Sequence, residues 1–550
     1  MATSVEVGTA RSRSGGTWAL VALAIAQFVM VLDQSVMNVS ISALVEEFDT
    51  TVTTIQTVIT LYCLVMAMFM LTGAKLGDII GRRRAFVVGL VVYAAGSALT
   101  AVAPSVAVLT LGWSVLEGLG ASLVLPALAA LIAGNFEGER RKAAYAVIGG
   151  VAGAGIAVGP ILGGWATTNA SWRIVFVGEV LLVGLILALS GRIGDAPREG
   201  ARPRLDVVGT GLSATGLGVL VLGVLQASTW GWLMPKDSPV EPFGFALTPF
   251  VVAAGGVLLY LFVAWQRHRE RVGADPLVHL DLTRIAPLRA GLIGLFSQNL
   301  ILMGVFFVVP LYLQMVLGLD ALQTGLKMLP ISVAMFLAAA AGSRLSTRYS
   351  VRGIVRVGLA TTCVGTVVLL WTVQPDLAER GFAWSMALLG IGMGLMASQL
   401  GNVVQSSVDA SGRAEAGGLQ YTGQQLGSSL GVALIGAIVL TGLTSAFLTT
   451  VQSDERISSE LSAQVESAAA QGLDFVSSDQ IRTAAVSAGV DAAATDALVE
   501  DYEDAQLGAL KAGLLASAFL ALAALAFTRE LPHAVAPAPE QRDATAAGVT

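Results

Sequence analysis

Gly149–Trp165 reads GGVAGAGIAVGPILGGW, a glycine-crowded piece of an apolar run long enough to cross a bilayer. Gly155, Gly159 and Gly163 recur every fourth residue, so they share one face of a helix and let a second helix approach backbone to backbone. Pro160 removes a backbone donor at that smooth face, which a membrane helix tolerates when its neighbours satisfy the freed carbonyl. A small-residue face by itself means close helix packing. Its length here, and the motifs around it, point further.

The surroundings are those of a polytopic membrane protein. Of 550 residues, 55% are hydrophobic and 13% charged, and the mean hydropathy is +0.74. A soluble globular chain carries roughly 25% charged residues. Apolar runs predict fourteen spans near 18–42, 53–74, 85–103, 106–133, 143–166, 173–191, 206–227, 246–265, 290–317, 326–345, 354–373, 382–405, 420–447 and 507–527. The first run is too long for a signal-peptide core and lacks a small-residue cleavage site, so it is expected to stay as span 1. Cys63 and Cys363 fall in different spans without metal-ligand spacing and read as apolar filler.

Charge fixes the orientation. Arg82–Arg84, Arg140–Lys142, Arg192, Arg198, Arg202 and Arg204, then Arg267, Arg269 and Arg271, and Arg344, Arg348, Arg352 and Arg356 all fall on one side of this map. The net charge of −6 hides this segregation. The positive-inside rule makes that side cytoplasmic and, with an even span count, places both termini there. The expected location is a plasma (inner) membrane. The opposite side is sparse and acidic, and its largest piece, 449–504, is Ala-rich enough to form a small helical cap rather than a disordered string.

The chain also repeats. Gly73–Arg84 (GAKLGDIIGRRR) follows span 2, and Gly342–Arg352 (GSRLSTRYSVR) echoes it after span 10, with Gly342 over Gly73 and Arg344 over Lys75. The parse is a tail 1–17, a six-span half 18–191, a linker 192–289 holding two extra spans, a second half 290–527 that includes the acidic loop 449–504, and a disordered tail 528–550. Parallel six-span repeats suit a rocker-type carrier.

These residues resemble the major facilitator superfamily, in particular its fourteen-span drug:proton antiporter branch, over nearly all of 18–527. Gly73–Arg84 is similar to the superfamily loop G-x-L-x-D-x-x-G-R-[KR]. Leu32–Val39 (LDQSVMNV) resembles the branch's span-1 pattern, and Leu205, Asp206 and Gly209 resemble the start of its extra span 7. Gly155, Gly159, Pro160, Gly163 and Gly164 fit the antiporter motif G-x-x-x-G-P-x-x-G-G, and Pro310–Gln314 through Leu329 and Pro330 fit spans 9 and 10. The resemblance implies an all-α integral membrane fold with about fourteen helices in a 6 + 2 + 6 arrangement and two pseudo-symmetric halves. It further implies proton-coupled efflux of lipophilic, cationic or amphipathic drugs, without a cofactor and powered by the proton gradient. The expected state is a monomer in a lipid bilayer with no nucleic-acid partner. The chain departs from the family at two places. Ser114 and Glu117 stand where span 4 usually carries arginine and glutamine, and Glu179 stands where span 6 usually carries asparagine. A lost arginine and two gained carboxylates imply a rewired proton relay.

An ionisable side chain inside a membrane costs several kcal/mol and marks function by default. Asp33, Glu117 and Glu179 are the three proton-coupling candidates, all in the first half. The bland readings are a helix-packing hydrogen bond for Asp33 and outward snorkelling, or pairing with Arg173, for Glu179. Neutral polar groups supply the substrate-cavity candidates: Asn38, Gln298, Asn299, Gln399, Asn402, Gln420 and Gln424. Gly73, Asp78, Gly81, Arg82 and Arg83 form a candidate conformational latch, because a carboxylate at a helix end can pair with arginine in one state and release it in the other.

Other classes fit poorly. Gly427–Gly431 (GSSLG) matches G-x-S-x-G, but it lies in a glycine-rich span rather than a strand–turn–helix, and no histidine falls near it. Without a Walker A sequence, an ATP-driven pump would need another subunit. Export or flipping of a lipid or an endogenous secondary metabolite stays as the alternative.

Overall fold

A computed structural model of the chain describes residues 6–136, 138–195, 204–409, 412–469 and 473–533. Among these there is no strand, and fourteen helices are long and apolar enough to span a membrane. They are α1 (Gly16–Val39), α2 (Val52–Ile80), α3 (Arg82–Ala101), α4 (Val106–Ile132), α5 (Val147–Asn169), α6 (Arg173–Arg192) and α7 (Val207–Leu225). Then follow α8 (Thr248–Arg271), α9 (Ala286–Val316), α10 (Ala321–Leu345), α11 (Val351–Thr372), α12 (Glu379–Ser406), α13 (Glu415–Ser453) and α14 (Ala492–Glu530). Each expected span has its helix. The main departure is α14, which begins well before residue 507 because Ala492 onward continues one helix from the acidic loop into the apolar run.

Local chemistry sets the helix starts. The Thr51 hydroxyl accepts from Thr54 N at 3.1 Å, Asp320 and Gln323 form a capping box, and Ser350 and Asp491 accept from Gly353 N and Ala494 N. Gly81 turns the chain between α2 and α3 at φ 105, a conformation that only glycine adopts without strain.

The two halves repeat one helix crossing down to the atom. A methyl on Gly112 of α4 would meet the Thr100 hydroxyl, Thr100 N and Gly96 O of α3, and one on Gly392 of α12 would meet the same three atoms of Thr362 and Gly358 in α11. The extra pair α7 and α8 packs on itself and, through α7, against α2 and α13 at the seam between the halves. Most of α8 stays exposed, as a lipid-facing helix should be.

At the end opposite the arginines sits the acidic cap. It contains helices Ser459–Ala469 and Ser478–Ser487 and the first turns of α14. Phe475 and Tyr502 are buried, the Tyr502 hydroxyl accepts from Val476 N and donates to Asp474 O, each at 2.9 Å, and Leu473 N donates to the Thr444 hydroxyl. These bonds tie the cap to the second half, while the Thr53 hydroxyl donates to Asp474 Oδ1 from the first half at 3.4 Å. Thr528 to His533 continue in ordered structure, where Glu530 pairs with Arg289 and Leu531 is buried; 534–550, and Arg198 and Arg202, lie outside the described residues.

Burial pushes the Asp474 carboxyl up, opposed by the bond from Thr53. A carboxyl whose folded pKa exceeds its unfolded value supports the docked cap best when protonated, and that support is lost as pH rises through the folded pKa. Asp474→Asn is therefore expected to raise the Tm of the purified protein at neutral pH, with the gap closing on acidification. A variant less stable than wild type at neutral pH contradicts this.

Candidate functional site

The three intramembrane carboxylates come together. Asp33 of α1, Glu117 of α4 and Glu179 of α6 are almost fully buried, and each offers an oxygen within 4.8 Å of the others. Two of them are held. Trp113 Nε1 donates to Asp33 Oδ1 at 2.8 Å, and Tyr93 Oη and Ser97 Oγ of α3 donate to Glu179 Oε2 at 3.1 and 3.0 Å. Among the described residues neither oxygen of Glu117 has a well-aligned hydrogen-bond partner, nor do Asp33 Oδ2, Glu179 Oε1 and the buried Tyr62 hydroxyl. No lysine, arginine or histidine is buried among the described residues. Two carboxylate charges at this spacing repel by roughly 3 kcal/mol even at an effective dielectric of about 20. The trio therefore does not carry three charges at once.

Local structure aims these groups. Residues Thr110–Glu117 wind as a π-helix, a form that recurs at functional sites because it rotates the side chains beyond it. Gly96 makes room, since a methyl there would lie 2.7 Å from Glu117 Cγ. Ser114 donates to Val58 O at 2.7 Å. Tyr62 stacks on Trp113 with ring centroids 4.7 Å apart. Glu179 does not reach Arg173, which pairs with Glu47 and donates to Ala103 O.

Tyr62, Tyr93, Ser97 and Trp113 escaped the sequence reading. Their signal was there: tyrosine and tryptophan favour the ends of spans, and these three rings sit inside them.

The motif of α5 works on both sides. Methyls on Gly155, Gly159 and Gly163 would press on Val31, Ser35 and Val36 of α1, and one on Gly164 would lie 2.3 Å from Ala321 O of α10. Gly325 answers from α10, where a methyl would lie 2.2 Å from Pro160 O. The halves meet at the cap end. Gln314 of α9 accepts from Ser42 Oγ at 2.6 Å and donates to Val39 O, Leu322 N donates to Thr168, and Ser332 donates to Ile156 O. A methyl on Gly153 would still meet Phe336, and methyls on Gly149 and Gly150 would meet nothing within 4 Å. The α5–α10 seam is closed at the cap end.

The cavity candidates divide. Gln298 donates to Met393 O and Gln399 to Gly342 O, so both link helices within the second half. Asn38 and Asn299 bond their own helices at Gln34 O and Leu295 O. Gln420 accepts from Gln405, Gln424 is half-buried and Asn402 is exposed. Further bonds between the halves run from Gln34 to Gln425 at 3.0 Å, from Gln56 to Val432 O at 2.9 Å and from Ser429 to Thr60 O at 3.1 Å.

In the latch, Arg82 Nη2 lies 3.1 Å from Asp78 Oδ1, Gly73 packs on Ser122 O of α4, and Arg83 N donates to Asp195. A half-exposed pair of this kind is worth at most about 1 kcal/mol. Asp78→Asn is accordingly expected to leave the protein folded and in the membrane while lowering its transport rate severalfold. Normal transport in that variant removes the latch role.

A family model described as Major Facilitator Superfamily matches residues 23–432. A probable actinorhodin transporter of Streptomyces coelicolor is 32% identical over 436 residues, 76% of this chain and 72% of the relative. The tetracenomycin C resistance and export protein of Streptomyces glaucescens is 29% identical, covering 79% and 78%. A multidrug efflux pump of Mycolicibacterium smegmatis is 28% identical, covering 80% and 84%. Among solved structures, a bacterial homolog of the human lysosomal transporter Spinster, inward-facing and unoccupied, aligns with TM-score 0.57 at 15% identity over 95% of this chain and 99% of its own, which supports the fold.

Proposed function

The chain belongs to the major facilitator superfamily and is a transporter rather than an enzyme, and we propose that it exports lipophilic, cationic or amphipathic drugs in exchange for protons. The observation that carries this reading is the buried trio Asp33, Glu117 and Glu179, a proton-holding group without a countercharge. Relatives named as antibiotic and multidrug exporters support the direction of transport and the substrate class. The arginine-rich end is assigned to the cytoplasm of a plasma membrane, which puts both termini inside and the acidic cap outside.

Alternating access follows from the seam. With α5 and α10 joined at the cap end, the outer side of this seam is shut, while α2 and α13 stay in contact at the arginine-rich end, where a methyl on Gly418 would lie 3.2 Å from Ala74 Cβ. Rocking of the halves would part the Gly164–Ala321 contact and open the outer side. Protons entering from outside would then load the trio, and their release inside would reset it. The trio lies within the first half, so proton and drug need not share one binding spot.

Cells producing the chain are expected to accumulate less of a fluorescent lipophilic cation than cells without it, and collapse of the proton gradient is expected to restore accumulation. Equal accumulation in both cells sinks the drug reading. Relatives named for single compounds, tetracenomycin C and actinorhodin, favour a second reading as exporter of one metabolite. A panel on which only one compound class moves would support it.

A further inference from the structure

At the arginine-rich end of the extra pair, α8 closes one wall of a cavity of about 730 Å³. The helix contributes Val263, Arg267, Glu270 and Arg271, and the short 3-10 turn Leu280–Arg284 contributes Asp281 and Arg284. The acids are engaged: Glu270 accepts from Leu280 N at 2.6 Å and Asp281 from Arg284 Nη1 at 2.8 Å. Arg267 and Arg271 pair with no described residue, and their four-residue spacing puts them on one helix face. Toward the bilayer the same side of α8 continues through Ala264, Tyr260 and Val257, all exposed. An exposed apolar stripe thus runs into two free guanidiniums.

We propose that this cavity binds the headgroup of an anionic phospholipid, its phosphate on Arg267 and Arg271 and an acyl chain along Val257, Tyr260 and Ala264. Guanidinium forks match phosphate oxygens, and basic pockets at the cytoplasmic ends of spans suit the anionic leaflet. A free anion would use the arginines but leave the apolar stripe without a role. The site also sits at a joint. His279, just before the turn, bonds Glu415 at the start of α13 through Nδ1 at 2.9 Å, and the turn leads directly into α9. A lipid held there grips the connection between the extra pair and the second half.

The test uses the full chain, reconstituted in vesicles of equal phosphatidylglycerol and phosphatidylcholine, extracted in mild detergent and weighed by native mass spectrometry. Wild type is expected to keep phosphatidylglycerol over phosphatidylcholine, with a preference of roughly fivefold for each free arginine. The double variant Arg267→Gln/Arg271→Gln is expected to lose that preference, and Arg344→Gln/Arg348→Gln, exposed arginines at the same end, to retain it. Inorganic phosphate is expected not to displace the lipid. Equal retention of both lipids, loss in both variants, or displacement by phosphate overturns the proposal; the last outcome makes the cavity a site for a free anion. Thermal unfolding of each variant at the wild-type Tm shows that the fold is intact.

Discussion

Asp33→Asn is expected to lower gradient-driven efflux by on the order of 100-fold, the scale on which a positioned acid–base group contributes. The substitution keeps shape and volume, and the asparagine carbonyl can still accept the 2.8 Å bond from Trp113 Nε1, so the helix contacts of α1 should survive. What disappears is one proton site in a cluster where each carboxylate senses the others within 4.8 Å. Initial efflux rates, normalised to the amount of protein in the membrane, read the effect. Efflux at the wild-type rate would move the coupling to Glu117, whose oxygens lack a well-aligned hydrogen-bond partner among the described residues, or remove it from the trio.

Gly164→Val is expected to abolish transport by holding the α5–α10 seam apart at the cap end. The first added carbon would lie 2.3 Å from Ala321 O and 2.8 Å from Leu322 Cα, which are backbone atoms that cannot rotate away. Overpacking of this kind typically costs 1–3 kcal/mol, enough to reverse a balanced conformational equilibrium. In a background lacking Cys63 and Cys363, a reporter at the buried Ser332→Cys should react faster with a membrane-impermeant maleimide applied outside once Gly164→Val is added. Unchanged labelling together with normal transport contradicts the seam assignment. Gly149→Ala, where a methyl meets nothing within 4 Å, serves as the tolerated control from the same stretch.

The contrast between Gly164 and Gly149 shows how far the sequence could be read. Hydropathy and arginine placement located all fourteen helices, because span length and charge are one-dimensional quantities. The face shared by Gly155, Gly159 and Gly163 followed from helical spacing, and the structure puts α1 against it. Which helix lay opposite Gly164 did not follow, since that depends on tertiary packing. The meeting of Asp33, Glu117 and Glu179 was equally hidden. Each is apolar-flanked on a different helix, and the π-helix at Thr110–Glu117, which sets the rotation of Glu117, has no local sequence cue. Reading Glu179 beside Arg173 failed for the same reason: sequence proximity of two turns counts for less than Tyr93 and Ser97 arriving from α3. Gln399 looked like a cavity lining and turns out to bond Gly342 O, because a polar side chain in a span satisfies itself on the nearest backbone carbonyl.

Proton movement in proteoliposomes tests the central claim most directly. With a pH-sensitive dye inside and no imposed gradient, adding a lipophilic cation outside should drive protons out as the cation enters, so the lumen becomes alkaline. The Asp33→Asn protein should give no such signal. A cation that equilibrates through the wild-type protein with the lumenal pH unchanged would contradict proton exchange and leave the buried carboxylates as structure only.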